Sequence, residues 1–217
     1  PLGSPIAPRA PRSHLPARPE GRSKRPSTRD RLVEEALDAT EAEAFSNLSL
    51  RELTRRVGIV PTGFYRHFPD MDALGLEIVD EAFGTLQSMI RSVREDPIAP
   101  EDMIQGSVDV LSQHVRERPS HFRFIARELN GGSPVLRDAI RDRLAAFTEE
   151  LATDLAALPL VDQWHRRDHL MLADLIVKVV VFAAADMLEF PDDHDTIVRR
   201  TQQQLRLVVL AAPHWDP

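Results

Sequence analysis

The chain contains no cysteine. Disulfides, thiolate chemistry and cysteine-ligated zinc are therefore excluded together, which fits an intracellular protein, and the cytoplasm is the expected location. It also lacks a bilayer-length apolar run. The longest, Leu175 to Leu188, is interrupted by Lys178 and Asp186 and is too short to span a membrane. No membrane insertion is expected, and no secretory signal pattern opens the sequence. Lysine is nearly missing: Lys24 and Lys178 stand beside 25 arginines, a bias expected of a GC-rich genome. An excess of positive charge is lacking as well, with 34 acidic residues against 27 basic ones and a formal charge of −7. No Ser-His-Asp order, carboxylate pair or glycine-rich phosphate loop stands out, so neither an enzyme nor a bound cofactor is expected.

What is present is an ordinary globular composition, 42% apolar and 28% charged over 217 residues, enough for a sizeable core. The charge is unevenly placed. Residues 1–31 carry eight Arg/Lys and two acids, whereas residues 69–217 carry fifteen and twenty-six. A basic head on an acidic body implies that the head meets a polyanion. Pro1-Leu-Gly-Ser4 resembles the scar of a cleaved affinity tag. Residues 5–27, with six prolines and six Arg/Lys, cannot build a core and read as a flexible basic arm. That arm is either a solubilising tail or an auxiliary contact to phosphate or minor groove.

From Thr28 onward the apolar period is helical. Val33, Ala36, Leu37, Thr40 and Ala44 share one face of a first helix. Val79, Ala82, Phe83, Leu86, Ile90 and Val93 mark a long fourth helix ended by Pro97. Ile104 to Val115 and Phe122 to Leu129 mark the fifth and sixth, the latter closed by Gly131-Gly132. Ser133-Pro134 starts a seventh with a stripe from Leu136 to Leu158, Asp162 to Phe190 forms an eighth, and Ile197 to Val208 marks the last. The β-branched run Leu175 to Phe182 reads as buried helix, because its neighbours keep helical spacing. The expected fold is all-α.

Between the first and fourth helices, Ser49-Leu-Arg-Glu52 reads as a capping box opening a two-turn helix with Leu50, Leu53 and Val57 on its apolar face. Gly58 makes the turn, and Pro61 opens a second short helix through Phe68. This spacing matches a helix-turn-helix, whose second helix can enter the major groove. Phe64 and Phe68, four apart, anchor that helix and leave Thr62, Gly63, Tyr65, Arg66 and His67 on its remaining surface. These groups suit phosphate oxygens and base edges, although Tyr65 and His67 also have a plain reading as surface residues.

The run Leu48-Ser-Leu-Arg-Glu-Leu-Thr-Arg-Arg-Val-Gly-Ile-Val-Pro-Thr-Gly-Phe-Tyr-Arg-His-Phe68 resembles the DNA-binding domain of the TetR family of transcriptional regulators. The resemblance, over about residues 28–210, implies a nine-helix, two-domain homodimer. An N-terminal helix-turn-helix domain at 28–74 would bind double-stranded operator DNA. A helical ligand-binding and dimerisation domain at 75–217 would follow. By position, Thr62 and Gly63 fall where members touch bases, Tyr65 and His67 where they touch phosphates, and Arg51 where some reach the groove. Arg29, leading into the domain with the basic arm, is a further expected DNA contact. Met71 stands where many members carry a phosphate-binding lysine.

The stretch Asp70-Met-Asp-Ala-Leu-Gly-Leu76, with Phe122-Arg-Phe-Ile-Ala-Arg-Glu128 and Asn130-Gly-Gly-Ser133, is similar to the branch that represses unsaturated fatty acid synthesis and senses long-chain acyl-coenzyme A. The resemblance then implies an apolar pocket, with Met103, Phe122, Phe147, Met171 and Phe182 as candidate lining beside their reading as core. Arg123 and Arg127 either hold a phosphate or carboxylate of the effector or form surface ion pairs with acids such as Glu128. His165 and His169 look superficially like a zinc pair, but no third ligand has suitable spacing and no metal is expected. Ile197, Leu205 and Val208 are expected to find their partners across an intersubunit four-helix bundle of the last two helices. A repressor sensing a long-chain acyl-coenzyme A or fatty acid is the reading that follows. Its rivals are a repressor sensing a drug or other apolar metabolite, and a helical lipid carrier without DNA binding.

Overall fold

The computed structural model describes residues 26–94, 100–159 and 161–215. The basic arm through Arg25, and Pro97, lie outside the described residues. Among the described residues there are nine α-helices and no strand. They are α1 (Thr28–Ala39), α2 (Leu50–Val57), α3 (Pro61–Phe64), α4 (Met71–Arg94), α5 (Pro100–Glu117), α6 (Pro119–Gly131), α7 (Pro134–Ala156), α8 (Arg166–Glu189) and α9 (His194–Ala211).

Several ends follow from local chemistry. Ser49 Oγ accepts the Glu52 amide at 3.1 Å and caps α2, and Ser133 Oγ accepts the Leu136 amide and caps α7, with Pro134 in its first turn. Gly58, at φ +76°, ends α2 in the left-handed region, which a residue with a Cβ rarely adopts. The capping box expected at Ser49 is only half formed: the Glu52 carboxylate bonds to Arg55 and Arg56 instead of reaching back. A complete box occurs at Ser27 and Asp30, at the start of α1.

Other ends are set by tertiary contacts. α1 stops at Ala39, short of the expected Ala44, because the chain must swing Phe45 into the core, where its ring meets Phe124 edge-on at 5.6 Å. α3 is shorter than the reading through Phe68; residues 65–67 form a turn and Phe68 folds back under Arg29. α8 begins at Arg166 rather than Asp162, since the preceding residues form a turn on which the buried His169 ring bonds to the Val161 carbonyl.

The main core runs without a break from the small N-terminal helices into the body. Leu32, Leu53, Phe64, Phe68, Leu74 and Ile78 belong to the same cluster as Phe83, Phe124, Leu136 and Ile140. A Cβ on Gly75 of α4 would lie 2.8 Å from both Leu136 methyls, so the Leu136 side chain of α7 packs directly on the α4 backbone there. Two smaller clusters join α5, α8 and α9 through Leu111, Met187 and Ile197, and α7 and α8 through Ala152, Leu172 and Ala173.

The outer helices correct two expectations. Leu175 to Phe182 is helical but not buried throughout, for Leu175 and Phe182 are exposed. Ile197 and Leu205 need no second subunit: both are buried within one chain, and Val208 packs on the cluster between α7 and α8. The uncovered apolar residues are instead Met171, Leu175 and Phe182 on α8 and Leu207 and Leu210 on α9.

Candidate nucleic-acid interface

The two short helices are held by what they bury. Leu53, Val57 and Phe64 are at most 1% exposed, and the Phe64 and Phe68 rings lie 5.8 Å apart. Helical rotation then turns the intervening residues outward. Arg51, Thr62, Tyr65 and Arg66 are exposed, Tyr65 at 60%, while Gly63 and His67 are half-buried. Among the described residues nothing forms a hydrogen bond or ion pair with the side chains of Arg51, Thr62, Tyr65 or Arg66. Tyr65 is steadied only by the edge of Phe64 at 5.7 Å, leaving its hydroxyl unengaged.

Other cations of this region are occupied. Arg55 and Arg56 both hold Glu52, and their hydrogen bonds pull its carboxyl down to about 2. Arg31 donates to the Val57 carbonyl at the end of α2. Arg29, an expected DNA contact, is also engaged within the chain. Its Nε and Nη2 grip the Glu77 carboxylate at 3.0 and 2.9 Å, its Nη1 donates to the His67 carbonyl at 2.8 Å, and its plane lies 4.3 Å over Phe68. The hydrogen bond to Glu77 also holds the guanidinium above its ordinary pKa. Arg29 thus braces α1 to α4 and fixes the turn after α3, while part of its side chain stays in solvent.

A pocket of about 80 Å³ opens between α4, α5, α6, α7 and α8. Its lining is wholly apolar and includes Phe83, Phe122, Ile125, Leu129, Leu144 and Leu188. Of the seven expected ligand contacts only Phe122 is there. Met103 and Phe147 are half-buried elsewhere, and Met171 and Phe182 face outward on α8. Arg123 pairs with Glu41 at 3.2 Å, and Arg127 donates to the Thr40 and Glu43 carbonyls, so neither lines the pocket and neither pairs with Glu128. The lining was present in the sequence as the stripe Phe122, Ile125, Ala126 and Leu129, but a core face and a pocket face share the same spacing.

The opposite side of α6 grasps the connection between α1 and α2. Ser120 donates to Glu41 at 2.9 Å beside Arg123, Arg127 holds two backbone carbonyls, and the Glu128 carboxylate, 1% exposed, accepts the Phe45 amide at 3.3 Å. Pocket and helix-turn-helix therefore share α6 as well as α4.

Two imidazoles, one buried and one half-buried, carry a pH dependence. His194 Nε2 lies 2.7 Å from Ser112 Oγ between α5 and α9. Burial lowers its pKa, Arg116 adds to the effect and Asp195 opposes it. Burial, then Arg118, likewise lowers His121. A histidine depressed in the folded state binds its proton more readily when unfolded, so stability falls as pH drops below the ordinary value of 6.5. His194→Gln, which keeps a partner for Ser112 but cannot titrate, is expected to flatten the fall in urea midpoint between about pH 7.5 and pH 5.5. An unchanged slope would remove His194 as a cause.

A short helix-turn-helix with an open polar face, packed as one core with an all-helical body, defines a helix-turn-helix DNA-binding regulator. Residues 32–78 match the family of bacterial regulatory proteins of the tetR type. An HTH-type transcriptional regulator of Haemophilus influenzae, itself uncharacterized, is 37% identical over 187 residues, covering 85% of this chain and 90% of that protein. The chain belongs to the TetR family of transcriptional regulators. Among solved structures, the fatty acid degradation regulator FadR from Bacillus halodurans superposes with a TM-score of 0.69 at 14% identity, over 84% of this chain and 96% of that one. A TetR-family transcriptional regulator from Streptomyces coelicolor superposes with a TM-score of 0.68 at 19% identity, over 86% and 96%. Both share the fold.

Proposed function

We propose that the chain is a homodimeric repressor that binds operator DNA through the open face of α2 and α3 and responds to an apolar effector in the α4–α8 pocket. Residues 28–74 serve as the DNA-binding part and residues 75–217 as the effector-binding and dimerisation part. The observation that carries the reading is the set of uncommitted polar side chains, Arg51, Thr62, Tyr65 and Arg66, presented beside Gly63 and His67 on one face while the neighbouring cations are engaged. Two such faces in a symmetric dimer would meet successive major grooves about 34 Å apart. The exposed apolar residues of α8 and α9 supply the dimer contact.

For the effector we infer a fatty acyl chain, free or carried as a coenzyme A thioester. An all-apolar lining suits the tail, the Asp70–Leu76 and Phe122–Glu128 runs resemble the acyl-sensing branch, and one regulator of the same fold governs fatty acid degradation. The pocket is smaller than the roughly 150 Å³ cavity that accommodates a benzene ring, so a long chain must part α6 from α4 to enter. That movement would act on the α1–α2 connection and on α4 together, and it regulates only if the effector binds the two arrangements unequally. The small volume favours a second reading, a compact apolar metabolite that fits without such opening.

Fluorescence anisotropy of labelled DNA from upstream of the chain's own gene tests both parts. Specific, salt-dependent binding is expected, shifted several-fold by palmitoyl-coenzyme A. Replacing Arg51 or Arg66 with alanine should weaken binding and reduce the slope of log affinity against log salt by about one where that arginine touches phosphate. Specific binding unmoved by acyl chains would retain the repressor and discard the acyl effector. Affinity and salt slope unaltered in Arg51→Ala, Tyr65→Ala and Arg66→Ala would remove the proposed face.

A further inference from the structure

Gly63 has no structural reason to be glycine. It sits inside α3 with its amide bonded to the Val60 carbonyl at 2.8 Å, and its φ is not positive, since Gly58 is the only described residue in that region. A Cβ at Gly63 would meet Ile59 Cβ and Cδ1 at 3.7 Å and Val60 Cγ2 at 3.9 Å, ordinary van der Waals distances. The fold would accept alanine, and alanine is the better helix former. Beside it Val60 leaves 66% of its surface in solvent, one of the largest apolar exposures of the molecule, on the same short segment as Thr62 and the exposed Tyr65. The missing methyl and the projecting valine form a notch about one methyl deep, floored by the Gly63 backbone and walled by Ile59 and Val60.

In the major groove every base edge presents hydrogen-bonding groups, and thymine alone adds an apolar one, its C5-methyl. The notch offers carbon only, so an amino or keto group held against it would lose its water without gaining a partner. We propose that this notch receives the C5-methyl of one thymine in each operator half-site, and that Val60 is thereby a specificity-determining residue. The proposal rests on the DNA-binding reading of α2 and α3 and adds to it the base that is read and the group that reads it.

Deoxyuridine keeps the hydrogen bonds of thymine and lacks only the methyl, so it isolates the contact. With the operator in hand, each thymine of both half-sites is replaced in turn and affinity measured by anisotropy. One symmetric position is expected to weaken the wild-type chain by about fourfold per half-site, the worth of one buried methyl. Val60→Ala should bring that ratio close to one while leaving the salt slope unchanged. Gly63→Ala, whose added methyl fills the notch, should unfold no earlier on heating than the wild type. It should also bind the thymine operator more weakly and recover when deoxyuridine stands at that same position. Discrimination at no thymine, or discrimination that persists unchanged in both variants, overturns the proposal. Absence of any specific binding by the wild-type chain overturns the DNA-binding reading as well, so the two failures are distinct.

Discussion

Phe182→Asp is expected to yield a folded monomer whose operator affinity is about 10²- to 10⁴-fold lower than that of the wild type. Phe182 is 71% exposed in the single chain, so a carboxylate there leaves no cavity and meets water. Met171 and Leu175 precede it by eleven and seven residues, which places all three on one side of α8 at helical spacing. Leu207 and Leu210 are exposed on α9, which packs against α8. Exposed apolar residues on two neighbouring helices are the surface through which the proposed dimer would close. In a dimer the new carboxylate would be buried against apolar side chains without a partner, an arrangement that favours dissociation. Each half of a palindromic operator would then be bound by a separate molecule, and the gain from linked binding would disappear. Sedimentation equilibrium should report the 24.4 kDa chain mass for the variant and twice that for the wild type, with the helical circular dichroism retained. A variant that stays dimeric and binds the operator as before would exclude α8 from the dimer contact.

Phe64→Ala should remove DNA binding by a different route. The ring is fully buried, packs beside Phe68 and belongs to the cluster shared by α1, α2, α4, α6 and α7. Truncating a buried phenylalanine costs about 3–5 kcal/mol, a large fraction of the 5–15 kcal/mol that holds a typical domain. Because α3 is four residues long, it cannot persist without that anchor. Urea unfolding should show an early transition, and operator binding should be lost with it. The adjacent Tyr65→Ala should leave the urea midpoint within about 0.5 kcal/mol of the wild type while weakening the operator complex, since its side chain is mainly in solvent. Equal stability for wild type and Phe64→Ala would show that the ring does not hold α3 in place.

The helix-turn-helix was legible because its determinants are close in sequence. Ser49, Gly58, Pro61 and the Phe64–Phe68 pair act over one to four residues, through a cap, a left-handed turn, a preset φ and one helical turn of rotation. The arginines were not legible in the same way. Arg29 has the same side chain as Arg66, yet its partners are 38 and 48 residues distant, and those of Arg127 are more than 80 residues distant. Nothing local distinguishes a guanidinium free for phosphate from one clamped to Glu77 or to a pair of carbonyls. The folded chain thus gives Arg29, Arg123 and Arg127 partners that their neighbours in sequence do not announce, Arg123 taking the surface ion pair open to it with Glu41.

The apolar helices show the same division. Periodicity along the chain determined that the protein is all-α, that a helix-turn-helix lies near its start, and which residues of each helix share an apolar face. It did not determine what covers each face. Ile197 finds α5 and α8 of its own chain and Leu205 is buried within it, Phe182 and Leu207 find no cover inside the chain, and the Phe122 stripe finds a pocket instead of solid core. These outcomes were decided by packing between elements far apart in the chain. The helical repeat fixes the direction of a side chain about its own axis, whereas burial depends on the surfaces brought opposite it.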